Sequence, residues 1–190
     1  MKSLKILIAG AGLGGLTAAS CLMKAGHKVE IYEQAPKLGE IGAGIQISAN
    51  AMHVLRDLGL EREIRAVGVH PAAYVFRLFD SGEEIQRFSL AEEHERIHGA
   101  PYTQLHRADF HDILARRAQA FDPAVVHLNK KGIGYVEHED SVELRFEDGS
   151  SARGDLLIAA DGLKSPIRAQ MLGPPSRLTP ATLPGASRFP

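Results

Sequence analysis

The stretch ILIAGAGLGGLTAASC, residues 6–21, restricts what this chain can fold into more than any other. An apolar run at 4–9, rich in Ile and Leu, stops on Gly10-x-Gly12-x-x-Gly15, and a helical pattern begins at once. Strands buried on both faces read as continuous apolar runs, so residues 4–9 are expected to form a parallel strand. From Leu13 the pattern places Leu13, Leu16, Ser20 and Met23 at helical spacing, with Ala18, Ala19 and Cys21 at close-packed positions. Gly26 closes this helix after about three turns. A second strand follows at Lys28–Glu33, with Val29 and Ile31 apolar. The same letters also resemble an export signal: Met1, Lys2 and Lys5 carry positive charge ahead of the apolar run, and small residues lead to Cys21. That reading fails, because glycines interrupt the run and the strand–helix–strand pattern continues past Cys21. Cys21 is then expected as a small core-facing helix residue, not a lipidation site.

Each part of this unit has a physical job in binding a dinucleotide. Gly10 permits a tight turn, and Gly12 lets backbone N–H groups approach a pyrophosphate with no Cβ in the way. Gly15 lets the helix pack close to the strand, and the helix N-terminus favours the anion. Glu33 ends the second strand and is placed to accept hydrogen bonds from ribose hydroxyls. The glycines alone could serve a tight turn only. The flanking strand, helix, second strand and terminal acid make the motif specific.

Composition removes several alternatives. A length of 190 residues suits one well-buried domain. A net charge of -1 gives no electrostatic case for nucleic acid or an anionic membrane surface. One cysteine excludes an internal disulfide and points to a reducing, cytoplasmic compartment. No apolar run approaches the roughly 20 residues of a transmembrane helix.

Beyond Glu33, residues 37–60 begin with a glycine loop (Gly39, Gly42, Gly44). Bare backbone at Gly42 and Gly44 is either loop punctuation or a surface for a ligand's ring. Ser48 or Asn50 then caps a helix with Ala51, Val54, Leu55 and Leu58 as its buried stripe. A further helix is expected to bury Phe110, Ile113, Leu114, Ala118 and Phe121, with Arg107 just outside its N-terminus. On residues alone Arg107 reads as a solvated arginine beside Asp109 or Asp112. Leu156–Ala160 is a central parallel strand, and Asp161-Gly162 sits at its carboxyl end, where open α/β sheets bind ligands. Asp161 is also positioned to cap the next helix. Residues 72–90 and 133–148 read as antiparallel strands with turns at 80–82 and 148–149. Val125–Leu128 is a short strand, and the loop at Lys130–Gly132 is expected to pass an adenine. His94-Glu95-Arg96-Ile97-His98 spells the zinc signature H-E-x-x-H. It is rejected, because Gly99 to Pro101 ends any helix there and no third ligand follows; a polar loop and no metal are expected.

GAGLGG (10–15), VEIYEQAP (29–36), IGAGIQISANAMHVLRDLGL (41–60), LHRADFHDIL (105–114) and DLLIAADGLKSPIR (155–168) together resemble the class A flavoprotein aromatic monooxygenases. The chain is most similar to the branch holding salicylate hydroxylase, 3-hydroxybenzoate 6-hydroxylase and 6-hydroxynicotinate 3-monooxygenase. The resemblance implies an α/β fold: a Rossmann-like FAD-binding domain of the p-hydroxybenzoate hydroxylase type, followed by the start of an antiparallel substrate domain. Residues 1–71 and 102–173 are assigned to the first and 72–101 to the second. FAD is the implied cofactor and NAD(P)H the co-substrate. O2 and a small phenolic acid such as salicylate are the implied reactants.

Residues and resemblance together give a cofactor-contacting set of Gly10, Gly12, Leu13, Gly14, Gly15, Glu33, Gln34, Gly44, Ile45, Arg107, Gly132, Asp161 and Gly162. Gln46 is the candidate catalytic position. Some relatives carry a histidine there that assists phenol deprotonation, and glutamine cannot serve as that base. The resemblance covers only the first half of the family's pattern, so a second FAD motif and most of the substrate pocket are expected to be missing. The tail PPSRLTPATLPGASRFP (174–190) departs from the pattern. Its codon pattern, read one base earlier, can encode a family-like strand, so the tail is expected to be out of frame. Low solubility and weak flavin retention would follow. Two further classes stand beside this reading: a non-catalytic FAD- or nucleotide-binding remnant, and an NAD(P)-dependent dehydrogenase, disfavoured because no Tyr-x-x-x-Lys pair follows the sheet.

Overall fold

The computed structural model describes residues 2–39 and 43–173. The expectations for Gly42 and for the tail at 174–190 lie outside these residues. The chain builds the expected opening unit as β1 (Lys5–Ala9), α1 (Leu13–Lys24) and β2 (Lys28–Tyr32). These join β7 (Val126–His127) and β11 (Leu156–Ala159) in a four-stranded sheet of order β11-β1-β2-β7. Every pairing in it is parallel.

From Ile6 to Ala9 β1 is apolar because both of its faces are covered. Ile6 and Ile8 enter a core with Leu16 and Ala19 of α1 and with Phe110, Leu114 and Ala118 of α5 (Arg107–Phe121). Leu7 and Ala9 face the other way, against Leu144, Phe146 and Ile167. That second layer is an antiparallel sheet of β8 (Gly132–Glu137), β9 (Val142–Phe146) and β10 (Ser151–Gly154), backed by α6 (Pro166–Leu172). Full burial of a side chain such as Leu114 contributes roughly 1.5–3 kcal/mol.

Between β2 and α5 lie β3 (Gly44–Ile47), α2 (Ala49–Asp57), α3 (Glu61–Val67), the hairpin β4 (Ala73–Arg77) and β5 (Glu84–Ser89), α4 (Glu92–His98) and β6 (Thr103–His106). β3 pairs antiparallel with β6, with Gln46 opposite Gln104. β4 and β5 form a separate two-stranded sheet.

Several local expectations change. Gly44 begins a strand instead of ending a loop, since β6 satisfies its backbone. The α2 stripe is Ala49, Met52 and Leu55, continued by Leu58, while Val54 is 42% exposed. The helix starts at Ala49, and its phase turns Val54 toward solvent. The Ser48 hydroxyl bonds the Asn50 side chain and makes no cap bond to the backbone. Phe121 is exposed at the end of the helix and packs under the Arg117 guanidinium, 4.3 Å from the ring centroid. His94–His98 lie in a helix, not a loop, and Gly99 ends it in the left-handed conformation at φ 71. Asp161 does not cap α6; Ser165 does, accepting from Arg168 N–H at 2.8 Å. Among the described residues no helix is long and apolar enough to cross a membrane.

Candidate functional site

The carboxyl ends of β1, β2 and β11 open onto a cleft of about 490 Å³. Gly10, Gly12, Glu33, Gln34, Arg107, Gly132, Asp161 and Gly162 all line it, so eight of the residues singled out from sequence meet in one place. Leu13, Gly14 and Gly15 form the first turn of α1 beside it. The first N–H groups of a helix have no intrahelical partner, and no side chain caps this one.

The glycine turn is built by close approach. Gly10 has φ 102, and a Cβ placed on it would lie 2.4 Å from the Ala160 carbonyl oxygen. A Cβ on Gly15 would lie 2.0 Å from the Gly10 carbonyl oxygen. Gly12 is different: nothing lies within 4 Å of its would-be Cβ, and the residue itself lines the cleft. Glu33 is held at the rim by two backbone donors. Its Oε2 accepts from Ala11 N–H at 2.8 Å, and its Oε1 from Ala35 N–H at 2.9 Å. A carboxylate has about four acceptor sites, so lone pairs remain for ligand hydroxyls.

Asp161 supplies the least satisfied group. Both of its carboxylate oxygens are buried with no hydrogen-bond partner. Buried polar groups are ordinarily paired, so two orphaned oxygens on a residue that lines the cleft call for donors from elsewhere. Three lysines (Lys130, Lys131 and Lys164) add positive charge to the lining. Lys130 is anchored on Asp148 at 2.7 Å and Lys131 on Glu147 at 2.7 Å. Hydrogen bonds from Lys130 and Ser150 hold the Asp148 carboxyl well below the usual carboxylate range. Under the cleft, Tyr32 stacks on His127 with centroids 4.9 Å apart. Burial, then its bond to Glu30, pushes the Tyr32 phenol up. An open anion-binding turn, a rim carboxylate and an orphaned acid suit a ligand carrying both a diphosphate and hydroxyls, as FAD does.

Gly44, Ile45 and Gln46 lie elsewhere. With Gln104 they line a second cleft of about 470 Å³. Arg107 lies at the junction of the two, since its N–H donates to the Ala43 carbonyl at 3.1 Å, next to β3. Sequence reasoning missed Gln104, Lys164 and His111. Lys164 follows the Asp161-Gly162 pair closely and was open to notice. Gln104 reaches Gln46 only through a pairing that no local pattern announces. The His94 and His98 rings lie 4.5 Å apart between centroids, tilted by 50°, far in sequence from the glycine turn. Among the described residues no group of three or more His, Cys, Asp or Glu is arranged to hold a metal ion.

Comparison with known proteins gives the same picture. A family model described as FAD binding domain matches residues 3–177. The chain is 37% identical over 169 residues to the 6-hydroxynicotinate 3-monooxygenase of Bordetella bronchiseptica, covering 89% of this chain and 43% of that protein. It is 40% identical over 168 residues to 3-hydroxybenzoate 6-hydroxylase 1 of Aquipseudomonas alcaligenes, covering 88% and 43%. The crystal structure of Klebsiella pneumoniae HpxO complexed with FAD and uric acid superposes with a TM-score of 0.74 at 32% identity, covering 88% and 41%. The chain thus spans less than half the length of these relatives. The α/β fold, the FAD-monooxygenase likeness and the match over 3–177 agree, and the chain belongs to this family of FAD binding domains.

Proposed function

We propose that this chain is the FAD-binding portion of a cytoplasmic flavoprotein monooxygenase, which hydroxylates a small phenolic aromatic acid such as salicylate using NAD(P)H and O2. One observation carries the reading: the open glycine turn, the Glu33 carboxylate and the orphaned Asp161 oxygens converge on one cleft. In this reading the N–H groups of Gly12, Leu13 and Gly14 take the diphosphate, with Gly10 and Gly15 shaping the turn. Glu33, beside Gln34, accepts from the ribose hydroxyls. Gly132 lies along the adenosine side, and Asp161-Gly162 accept from the ribityl side. Arg107 and the bare backbone at Gly44-Ile45 flank the ring. When bound, FAD supplies hydride acceptance from NAD(P)H and activation of O2. Gln46 orients the aromatic acid by hydrogen bonding and does not remove its proton.

Titrating the purified chain with FAD tests this reading through quenching of flavin fluorescence. Binding in the micromolar range or tighter is expected, and no binding would refute it. A second reading, a nucleotide-binding unit without catalysis, is favoured by the lining of the second cleft, which holds no titratable side chain among the described residues. NADH oxidation stimulated by salicylate, with a hydroxylated product, separates the two.

A further inference from the structure

The glycine turn is gripped from behind by a histidine that the cofactor-contacting set does not include. His111 lies on α5, one turn beyond Arg107, and is 4% exposed. Its Nε2 is 2.8 Å from the Ala11 carbonyl oxygen. A carbonyl oxygen only accepts, so Nε2 carries the hydrogen and donates. On its other side, Ala11 donates its own N–H to Glu33.

These two bonds fix successive peptide planes. The C=O and N–H of one trans peptide point in opposite directions. The Ala11–Gly12 peptide turns its oxygen back onto His111, so its N–H, that of Gly12, faces the opposite way, toward the cleft that Gly12 lines. The preceding peptide has its N–H on Glu33 and its Gly10 oxygen in the space that Gly15 leaves for lack of a Cβ. Without the imidazole donor, the Ala11 oxygen would be buried and unpaired, which is costly. Rotating the Ala11–Gly12 peptide relieves that cost, and glycine's wide conformational range permits it. The rotation turns the Gly12 N–H away and presents a carbonyl dipole to the anion.

We propose that His111 is a positioning residue for the anion-binding turn, acting through the Ala11 carbonyl to aim the Gly12 N–H at a nucleotide diphosphate. The proposal rests on the FAD-binding reading above. Because Arg107 and His111 share one helix, the same contact also sets the distance between the turn and the Arg107 guanidinium.

The experiment compares the wild-type chain with His111→Leu and His111→Gln. FAD affinity is read by fluorescence quenching, ADP affinity by calorimetry and ligand-free stability by thermal unfolding. His111→Leu is expected to weaken both FAD and ADP by about tenfold or more, the scale of one hydrogen bond serving a charged ligand. His111→Gln, whose amide N–H can replace the donor, should return both affinities to within about threefold of wild type. The proposal falls if His111→Leu binds both ligands as wild type does. It also falls if His111→Gln keeps the wild-type Tm and still loses affinity. Should the leucine variant unfold, the glutamine variant decides by that same comparison. A wild-type chain that binds neither FAD nor ADP would instead overturn the FAD-binding reading, and the proposal with it.

Discussion

Gly12 and Gly15 belong to one turn, yet a methyl group added to each meets different surroundings. At Gly15 it strikes the Gly10 carbonyl at 2.0 Å, a backbone atom that cannot swing aside. Gly15→Ala is therefore expected to destabilise the chain by about 1–3 kcal/mol, the usual cost of overpacking. At Gly12 the backbone is at φ -71, which alanine adopts freely, and the space is open. Gly12→Ala should keep the wild-type Tm while weakening FAD, because its methyl enters the space the diphosphate needs. Thermal unfolding paired with FAD titration checks both. A Gly12→Ala chain that binds FAD normally would mean that the diphosphate lies elsewhere. Asp161 gives the opposite trade. Its orphaned oxygens cost stability without a ligand, so Asp161→Asn should raise ligand-free stability by about 1 kcal/mol and reduce FAD affinity. A lower Tm for that variant would count against the cleft as described.

Among the elements, α2, α3 and α4 are tied by one ionic network. Glu61 on α3 accepts from Arg56 of α2 at 3.0 Å and from Arg65 at 3.1 Å, and Arg65 also pairs with Glu95 of α4. The Arg56 hydrogen bond foremost, against the effect of burial, holds the Glu61 carboxyl below its usual range. A carboxyl depressed in the folded state stabilises above the unfolded glutamate range, and that contribution is lost as pH falls through the depressed value. Glu61→Gln should therefore lower the urea midpoint at neutral pH and differ less from wild type in acid. A constant difference across that range would contradict the assignment. These connections left little trace in the sequence. β1, α1 and β2 were legible because strand, turn and helix follow one another within one apolar pattern. The β3–β6 pairing was not, because its partners lie far apart in the chain and β3 reads as a glycine loop. α3 is short and shows only Ile64 fully buried, too little for a periodic signal. The α4 helix reads as a loop because all of its residues but Ile97 are polar and none is buried.

At the scale of the whole molecule, the hairpin β4–β5 stands apart from both cores. Phe76 and Phe88 pack edge to face at 6.1 Å yet remain 53% and 51% exposed, and Phe79 and Ile85 are exposed as well. Exposed apolar side chains of this size promote association. The chain should bind a hydrophobic dye and sediment faster as concentration rises. Replacing Phe76 and Phe88 together with serine should reduce both effects and leave FAD affinity unchanged, since neither residue lines the glycine-turn cleft. Equal association in the double variant would place the sticky surface elsewhere. By itself the sequence determined the opening β1–turn–α1–β2 unit, its acid at Glu33 and a parallel strand leading to Asp161, which lies at the edge of the described sheet and not at its centre as expected. Each of those is written in neighbouring residues whose spacing must match a local geometry. Only the tertiary structure decided that Arg107, Gly132 and Asp161 reach the glycine turn, that Gln104 stands opposite Gln46, and that His111 grips Ala11 from 100 residues away. Such contacts are selected in space, by burial and by the need of each buried polar group for a partner, and they leave no fixed spacing in the chain.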